Sequence, residues 1–254
     1  MNSTLQLLRN AWGVLSTDPK RRYESKFAVL SALVGRAGLR MYNRHLLWFS
    51  DEAFLAVWRR FPEATRAVPD RRFVLLSAAE SVRNLPGDTV ECGAYRGAGS
   101  FLILASQTQI PGKMHHVFDS FEGLSEPDAR DDPSKHRTAF LWNKHDLAVG
   151  EDVVGRNLSE FDRFRLYRGW IPSRFAEVAE RRFCFVHIDV DLYQPTYDSL
   201  EFFYPRMVPG GIIVCDDYGF STCPGANSAF GDFLTGKPEA VIHLTTGQGL
   251  LVKQ

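Results

Sequence analysis

Phe183-Cys184-Phe185-Val186-His187-Ile188-Asp189 is a mostly apolar run closed by a carboxylate, and Gly210-Gly211-Ile212-Ile213-Val214-Cys215-Asp216-Asp217 repeats the pattern. Runs of this length and content predict strands buried on both faces. Asp216 follows Asp189 by 27 residues (216 − 189), room for a helix, a short loop and the next strand. The two runs are therefore expected side by side and parallel, with their carboxylates at the ends where open α/β sheets bind ligands. Asp189, Asp216 and Asp217 gathered there would suit a Mg²⁺-type cation, because bunched buried carboxylates repel unless a cation or protons compensate.

Outward from this pair the pattern continues. Strands are expected near 88–93, 114–119 and 164–168, and helices near 98–108, 146–160, 172–180, 194–206 and 225–235. Such alternation predicts a parallel sheet with helices on both faces. Two further strands, near 239–244 and 248–253, flank Thr246-Gly247-Gln248-Gly249 and predict a closing hairpin, so the sheet should end in an antiparallel strand. Residues 1–85 carry helical signals only: Asp51 and Asp70 are placed to cap helices, and Pro86-Gly87 ends the helical region. The expected division is a helical N-terminal extension, 1–85, and an α/β domain, 86–254. Segment 26–41 reads as an amphipathic helix for core or dimer packing. Surplus apolar residues at Leu46, Leu47, Trp48 and Phe49 point to a homodimer or higher homo-oligomer.

Composition sets the outer bounds. The 254 residues are 44% hydrophobic and 24% charged, and 30 basic residues balance 30 acidic ones. That balance gives no sign of a nucleic-acid partner, and clusters such as Arg21-Arg22 and Arg71-Arg72 read as solvated surface. Cys92, Cys184, Cys215 and Cys223 form no CxxC pair and read as small core residues in a reducing compartment. No apolar run approaches the roughly 20 residues of a membrane span, and a cytoplasmic location is expected. Segment 120–145 is polar, rich in Asp and Pro, interleaved with Phe140 and Trp142, and reads as a binding loop or lid.

Thr89 to Ser100 reads strand, Gly-rich turn, helix, a place where the backbone can approach a ligand and free N–H groups face it. The dinucleotide fingerprint G-x-G-x-x-G is broken by Tyr95 after Gly93 and by Leu102 after Gly97, which disfavours a nicotinamide-dependent dehydrogenase. Asp119, ending Val117-Phe118-Asp119, is placed either to accept ribose hydroxyls of a nucleoside or to cap the next element.

Taken together, Val90–Gly97, Phe118-Asp119-Ser120-Phe121-Glu122-Gly123-Leu124, Tyr167-Arg168-Gly169-Trp170, His187–Thr196 and Pro209-Gly210-Gly211 with Asp216-Asp217-Tyr218-Gly219 resemble the macrocin O-methyltransferase (TylF-like) family of class I S-adenosylmethionine-dependent methyltransferases, which methylates sugar hydroxyls. The resemblance covers roughly 86–254. It implies a Rossmann-like, seven-stranded, mostly parallel sheet with an antiparallel C-terminal strand. Glu91, Gly93, Tyr95, Gly97 and Ser100 would contact the methionine part of the cofactor or shape its turn. Asp119 and Ser120 would hold the ribose, Gly169 and Trp170 would flank the adenine, and Asp189, Asp216 and Asp217 would bind Mg²⁺. The implied acceptor is a hydroxyl on a sugar or glycosylated natural product. Asp189 is the expected general base, with Asp191 and His187 behind it, since strand alternation puts all three on one side. Magnesium-dependent catechol enzymes often carry a Lys soon after the equivalent Asp; Val190-Asp191-Leu192-Tyr193 has none, which favours the sugar. After Pro224-Gly225-Ala226 the family pattern has a basic residue and this chain has Asn227. A phenolic or other small hydroxyl acceptor, and a non-catalytic member of the fold, are the alternatives.

Overall fold

The computed structural model describes residues 10–38, 40, 48, 51–65, 69–107, 111–136 and 141–254. Leu46, Leu47, Phe49 and Phe140, singled out above, lie outside them. The chain forms two compact units, residues 1–51 and 52–254.

In the first unit, helix α1 spans Pro19–Arg36, earlier than the apolar spacing alone predicts. Its start is set by local chemistry: the Asp18 carboxylate accepts the Lys20 N–H at 3.0 Å, and Pro19 supplies a preset φ at the first helical position.

The second unit holds the sheet. Its elements are α2 (Glu52–Trp58), α3 (Asp70–Ser81), β1 (Asp88–Cys92), α4 (Ala98–Ser106), β2 (His115–Asp119), α5 (Glu151–Asn157), β3 (Phe164–Arg168), β4 (Phe183–Ile188), α6 (Tyr193–Phe203), β5 (Met207–Cys215), α7 (Pro224–Leu234), β6 (Ile242–His243) and β7 (Gly249–Val252). The strand order is β3-β2-β1-β4-β5-β7-β6. Strands β1 to β5 run parallel, and β7 is antiparallel to both β5 and β6. This is the mostly parallel seven-stranded α/β sheet expected from the alternation, closed by the expected hairpin.

Four local differences have physical causes. Strand β5 starts at Met207, ahead of the apolar run quoted from Gly210, because a register shift against β4 absorbs Pro209-Gly210-Gly211. Helix α5 starts only at Glu151, because His145 and Leu147 have positive φ. The helix expected over 172–180 is a single 3₁₀ turn, Phe175–Val178, whose two buried residues stand three apart. At α3, Asp70 is the first helical residue and not the cap, which is Pro69.

The expected break at 85/86 also falls inside the second unit. Leu75, Ala78 and Ala79 of α3, with Val82 at its C-cap, pack with Ile103 of α4 and with Phe185, Ile212 and Val214 of the sheet. Helix α4 is apolar all round and buried between sheet and helices, as such helices are. The opposite face of the sheet buries Val186, Ile188 and Ile213 against Leu200, Phe203 and Phe230 of α6 and α7.

Phe203 is the centre of that second layer. Its ring lies 4.8 Å from Phe175 and 5.1 Å from Phe183, both edge-on, and Phe118 meets Phe175 at 5.0 Å. Each such pair adds about 0.5–1.5 kcal/mol beyond area burial. Phe203→Ala is expected to destabilise the protein by about 3–5 kcal/mol, measured by denaturant unfolding. A loss under about 1 kcal/mol would mean that the layer repacks.

Candidate active site

Strand register brings the predicted carboxylates level. Cys92 pairs with Phe118 and with Ile188, and Ile188 pairs with Cys215. The next residues, Gly93, Asp119, Asp189 and Asp216, therefore stand in one row at the carboxyl ends of β1, β2, β4 and β5. Strand order reverses between β1 and β4, the place where a crevice opens in such sheets.

Two adjoining cavities occupy that crevice. The first, about 550 Å³, is lined by Gly93, Asp119, Ser120, Trp170 and Asp189 among others. The second, about 680 Å³, is lined by Arg71, Arg72, Trp142, Asp189, Asp217 and Phe220 among others. Tyr95, Leu147, Asp189 and Asp191 belong to both.

The Gly-rich turn makes the first cavity's floor. Gly93 has φ 83°, and a Cβ there would overlap the Asp189 carbonyl oxygen. Tyr95 also has positive φ and is half-exposed over the crevice. Gly97, at φ 87°, caps α4 and faces Val154 of α5, not the cavity.

Asp119 closes the turn. Its Oδ2 accepts the N–H groups of Ala94 (2.7 Å) and Tyr95 (3.2 Å), and its Oδ1 accepts that of Phe121 (2.7 Å). Burial still raises its carboxyl above the usual range against those donors. Three of about four acceptor sites are thus taken, which leaves one for a ligand hydroxyl. Ser120 donates to the Gly123 carbonyl at 2.6 Å and accepts the Glu122 N–H at 2.9 Å. Gly169 donates its N–H to the Asp119 carbonyl at 2.9 Å. Trp170, beside it, is anchored by Nε1 to the Gly123 carbonyl at 3.3 Å.

Glu91 and Ser100 lie beneath the turn, buried, in a polar chain under α4. Burial, then His116 and His187, push the His115 imidazole down to about 3, so it is neutral. Ser100 donates its hydroxyl proton to Glu91. The 3.0 Å contact between His115 Nε2 and Ser100 Oγ is then donated by His115, and Thr89 donates to Nδ1 at 2.9 Å. On the other side His187 Nδ1 meets Glu91 at 2.7 Å, and its Nε2 stands 3.5 Å from Asp216 Oδ1.

The three expected metal ligands fall in two adjacent groups. Oxygens of Asp189 and Asp216 lie within 4.8 Å of each other and of a His187 ring nitrogen. Asp217 groups instead with Asp191 and Cys223. The expectation that His187, Asp189 and Asp191 share one side holds for His187 and Asp189 but not for Asp191. The strand ends at Ile188 and Asp191 takes φ 59°, so alternation stops, with His187 buried under α4 and Asp191 on the Asp217 side.

Arg71 and Arg72 are the second correction. They are not solvated surface: Arg71 pairs with the fully buried Asp216 and stands 3.9 Å from Asp189, and Arg72 stands 3.8 Å from Asp189. Nothing local in the sequence marks them, because their partners lie more than a hundred residues away. Gln248, donating to Asp216 at 2.6 Å, was equally silent.

The segment after β2 forms a wall. Leu124 and Ser125 line the first cavity and Trp142 the second. Asp131 tethers it by accepting the Tyr193 N–H at the start of α6 (2.7 Å), in space left by the missing Cβ of Gly225. Asn227, where the family pattern has a basic residue, donates to the Tyr218 carbonyl at 3.1 Å.

A family model described as macrocin-O-methyltransferase (TylF) matches residues 63–237, which include every site residue named above except Gln248. The chain belongs to the macrocin O-methyltransferase family. It is 31% identical over 148 residues to the 8-demethyl-8-(2,3-dimethoxy-α-L-rhamnosyl)-tetracenomycin-C 4'-O-methyltransferase of Streptomyces olivaceus, covering 56% of this chain and 57% of that one. It is 30% identical over 158 residues to the demethyldecarbamoylnovobiocin O-methyltransferase of Streptomyces niveus, covering 59% of each. The match thus spans less than two thirds of either relative. The solved structure of the O-methyltransferase NovP superposes with a TM-score of 0.60 at 26% identity, over 72% of this chain and 79% of that one. Among the described residues no helix is long and apolar enough to cross a membrane.

Asp191 reports on the charge of this family member's site. Burial first, then the Asp189 charge, push its carboxyl up to about 7. A folded-state value above the unfolded value of about 3.9 means that Asp191 adds stability below about pH 4 and that this is lost as pH rises through about 7. In chelator-containing buffer, Asp191→Asn is expected to lose less stability than wild type between about pH 5 and pH 8. Urea unfolding at the two pH values checks it, and parallel losses would refute it.

Proposed function

We propose that the protein transfers a methyl group from S-adenosylmethionine to a hydroxyl of a sugar or glycosylated small molecule, with Mg²⁺ at the acceptor. The observation that carries this reading is the pair of adjoining cavities with Asp189 in both walls. Family membership supports the reaction, and the rhamnosyl acceptor in the name of the Streptomyces olivaceus relative supports the substrate class.

In the first cavity, the remaining acceptor site of Asp119 takes a ribose hydroxyl. The half-exposed Trp170 ring offers a face for the adenine, and the turn around Gly93 receives the methionine part. Glu91, Gly97 and Ser100 act from below by holding the turn and the start of α4. Tyr95, in both walls, stands at the border between donor and acceptor.

The acceptor enters the second cavity. The carboxylates in and behind its wall fit a hard cation: Asp189 and Asp217 line it, Asp216 lies behind Arg71, and all three offer only carboxylate oxygens. Asp217 is pushed well up by burial and then by Asp191 and Asp189, a crowding that added positive charge relieves. These three would hold Mg²⁺, which when bound would supply Lewis-acid polarisation that lowers a hydroxyl pKa. Asp189 then takes the hydroxyl proton as the oxygen attacks the sulfonium methyl in line. The C–S bond breaks as the O–C bond forms, leaving the methyl ether, S-adenosylhomocysteine and a proton on Asp189. Trp142, Leu147 and Phe220 wall the cavity against water, and positioning supplies much of the rate.

Asp189→Asn is expected to lower methyl transfer by about 10²–10⁴-fold while S-adenosylmethionine affinity by calorimetry stays within about threefold. EDTA is expected to abolish turnover and Mg²⁺ to restore it; full activity in EDTA would remove the metal from the mechanism. A panel of glycosides and phenols tests the acceptor class, and turnover of phenols alone would reassign it.

A further inference from the structure

Arg71 sits in the first turn of α3 with its side chain turned into the carboxylate cluster. Its guanidinium pairs with Asp216, which has no solvent exposure, and lies 3.9 Å from Asp189. The other Asp216 oxygen is occupied as well. Gln248 donates to its Oδ1 at 2.6 Å, and His187 Nε2 stands 3.5 Å from the same oxygen. Gln248 also donates to the Arg71 carbonyl at 3.3 Å, so helix, hairpin and carboxylate are tied at one point. Asp216 lines neither cavity, whereas the Arg71 side chain paired with it lines the second.

We infer that Arg71 is the resident counter-cation of this site: in cation-free protein its guanidinium occupies Asp216, and a divalent ion that engages Asp216 must displace it. The inference rests on the Mg²⁺ reading above. A guanidinium cannot shed its proton in a protein, so the conflict between two positive charges is resolved only by movement. Arg71 has somewhere to move. Its side chain lines the second cavity, is about a quarter exposed, and already lies 4.8 Å from the centre of the Phe220 ring. That face is a seat for a cation released from Asp216. Two consequences follow: Asp216 is never left bare beside Asp189, and metal affinity is set by a competition inside the chain.

The test is calorimetric and electron-spin-resonance binding of Mn²⁺ to the full chain as wild type, Arg71→Met and Arg71→Lys, without substrate. Arg71→Met is expected to bind at least about tenfold more tightly than wild type, about 1.4 kcal/mol, and Arg71→Lys to stay near wild type because it keeps the charge. Equal affinity in wild type and Arg71→Met overturns the inference and leaves the metal reading standing. Mn²⁺ binding in neither overturns both. Should Arg71→Met fail to fold, the wild-type protein still decides. The Arg71 Nε–H resonance, assigned by its loss in Arg71→Lys, is expected to shift as Mg²⁺ saturates the site, and an unmoved resonance overturns the inference.

Discussion

The carboxyl ends of β1 and β4 come together so closely that one missing methyl group decides the geometry. Asp189 donates its N–H to the Cys92 carbonyl at 2.9 Å, and its own carbonyl fills the space where a Cβ on residue 93 would be. Because strand order reverses at this junction, the two chains leave in opposite directions and a crevice opens between them. The Gly-rich turn goes to one side and the Asp189–Asp191 segment to the other. Both cavities, and the residues common to them, follow from that single approach.

Beneath the crevice the interior is unusually polar for a sheet core. Thr89, His115, Ser100, Glu91 and His187 form one hydrogen-bonded row between the sheet and the helices above it, and Asp216 stands 3.5 Å from its end. The directions of donation are consistent from Thr89 to Glu91, and such buried groups are tolerated when partnered. At the far end, His187 Nε2 and Asp216 Oδ2 are buried with no hydrogen-bond partner, the latter facing Arg71 as an ion pair. The row runs from the base of the Gly-rich turn toward the carboxylate at the end of β5. Above it, Asp189, Asp191 and Asp217 are less completely neutralised, and that unbalanced charge marks the chemical side of the crevice.

Much of the fold was legible because it depends on short-range pattern. The runs at 183–189 and 210–217 are too apolar for a half-exposed strand, and the glycines between Gly93 and Gly99 stand where a strand must turn into a helix. The closing hairpin was readable from Gly247 and Gly249. The N-terminal boundary was not, because whether α3 belongs to the sheet depends on what Leu75 and Ala79 touch. The start of α5 was hidden for a related reason: His145 and Leu147 adopt positive φ because of the wall they build, not by propensity.

For the site, the chain alone determined which residues end the strands. Residue type and spacing place Asp119, Asp189, Asp216 and Asp217 at the carboxyl edge, and the motif order points to a methyl donor. Only the tertiary structure decided what each carboxylate faces. Asp216 and Asp217 are neighbours in sequence, yet one turns toward Arg71, Gln248 and His187 and the other toward Asp191 and Cys223. Successive side chains at a strand end diverge, and the Arg71 and Gln248 that meet Asp216 arrive from α3 and the C-terminal hairpin, segments that are distant along the chain. Pairing of charges is a property of distance in space, and no spacing along the sequence encodes it.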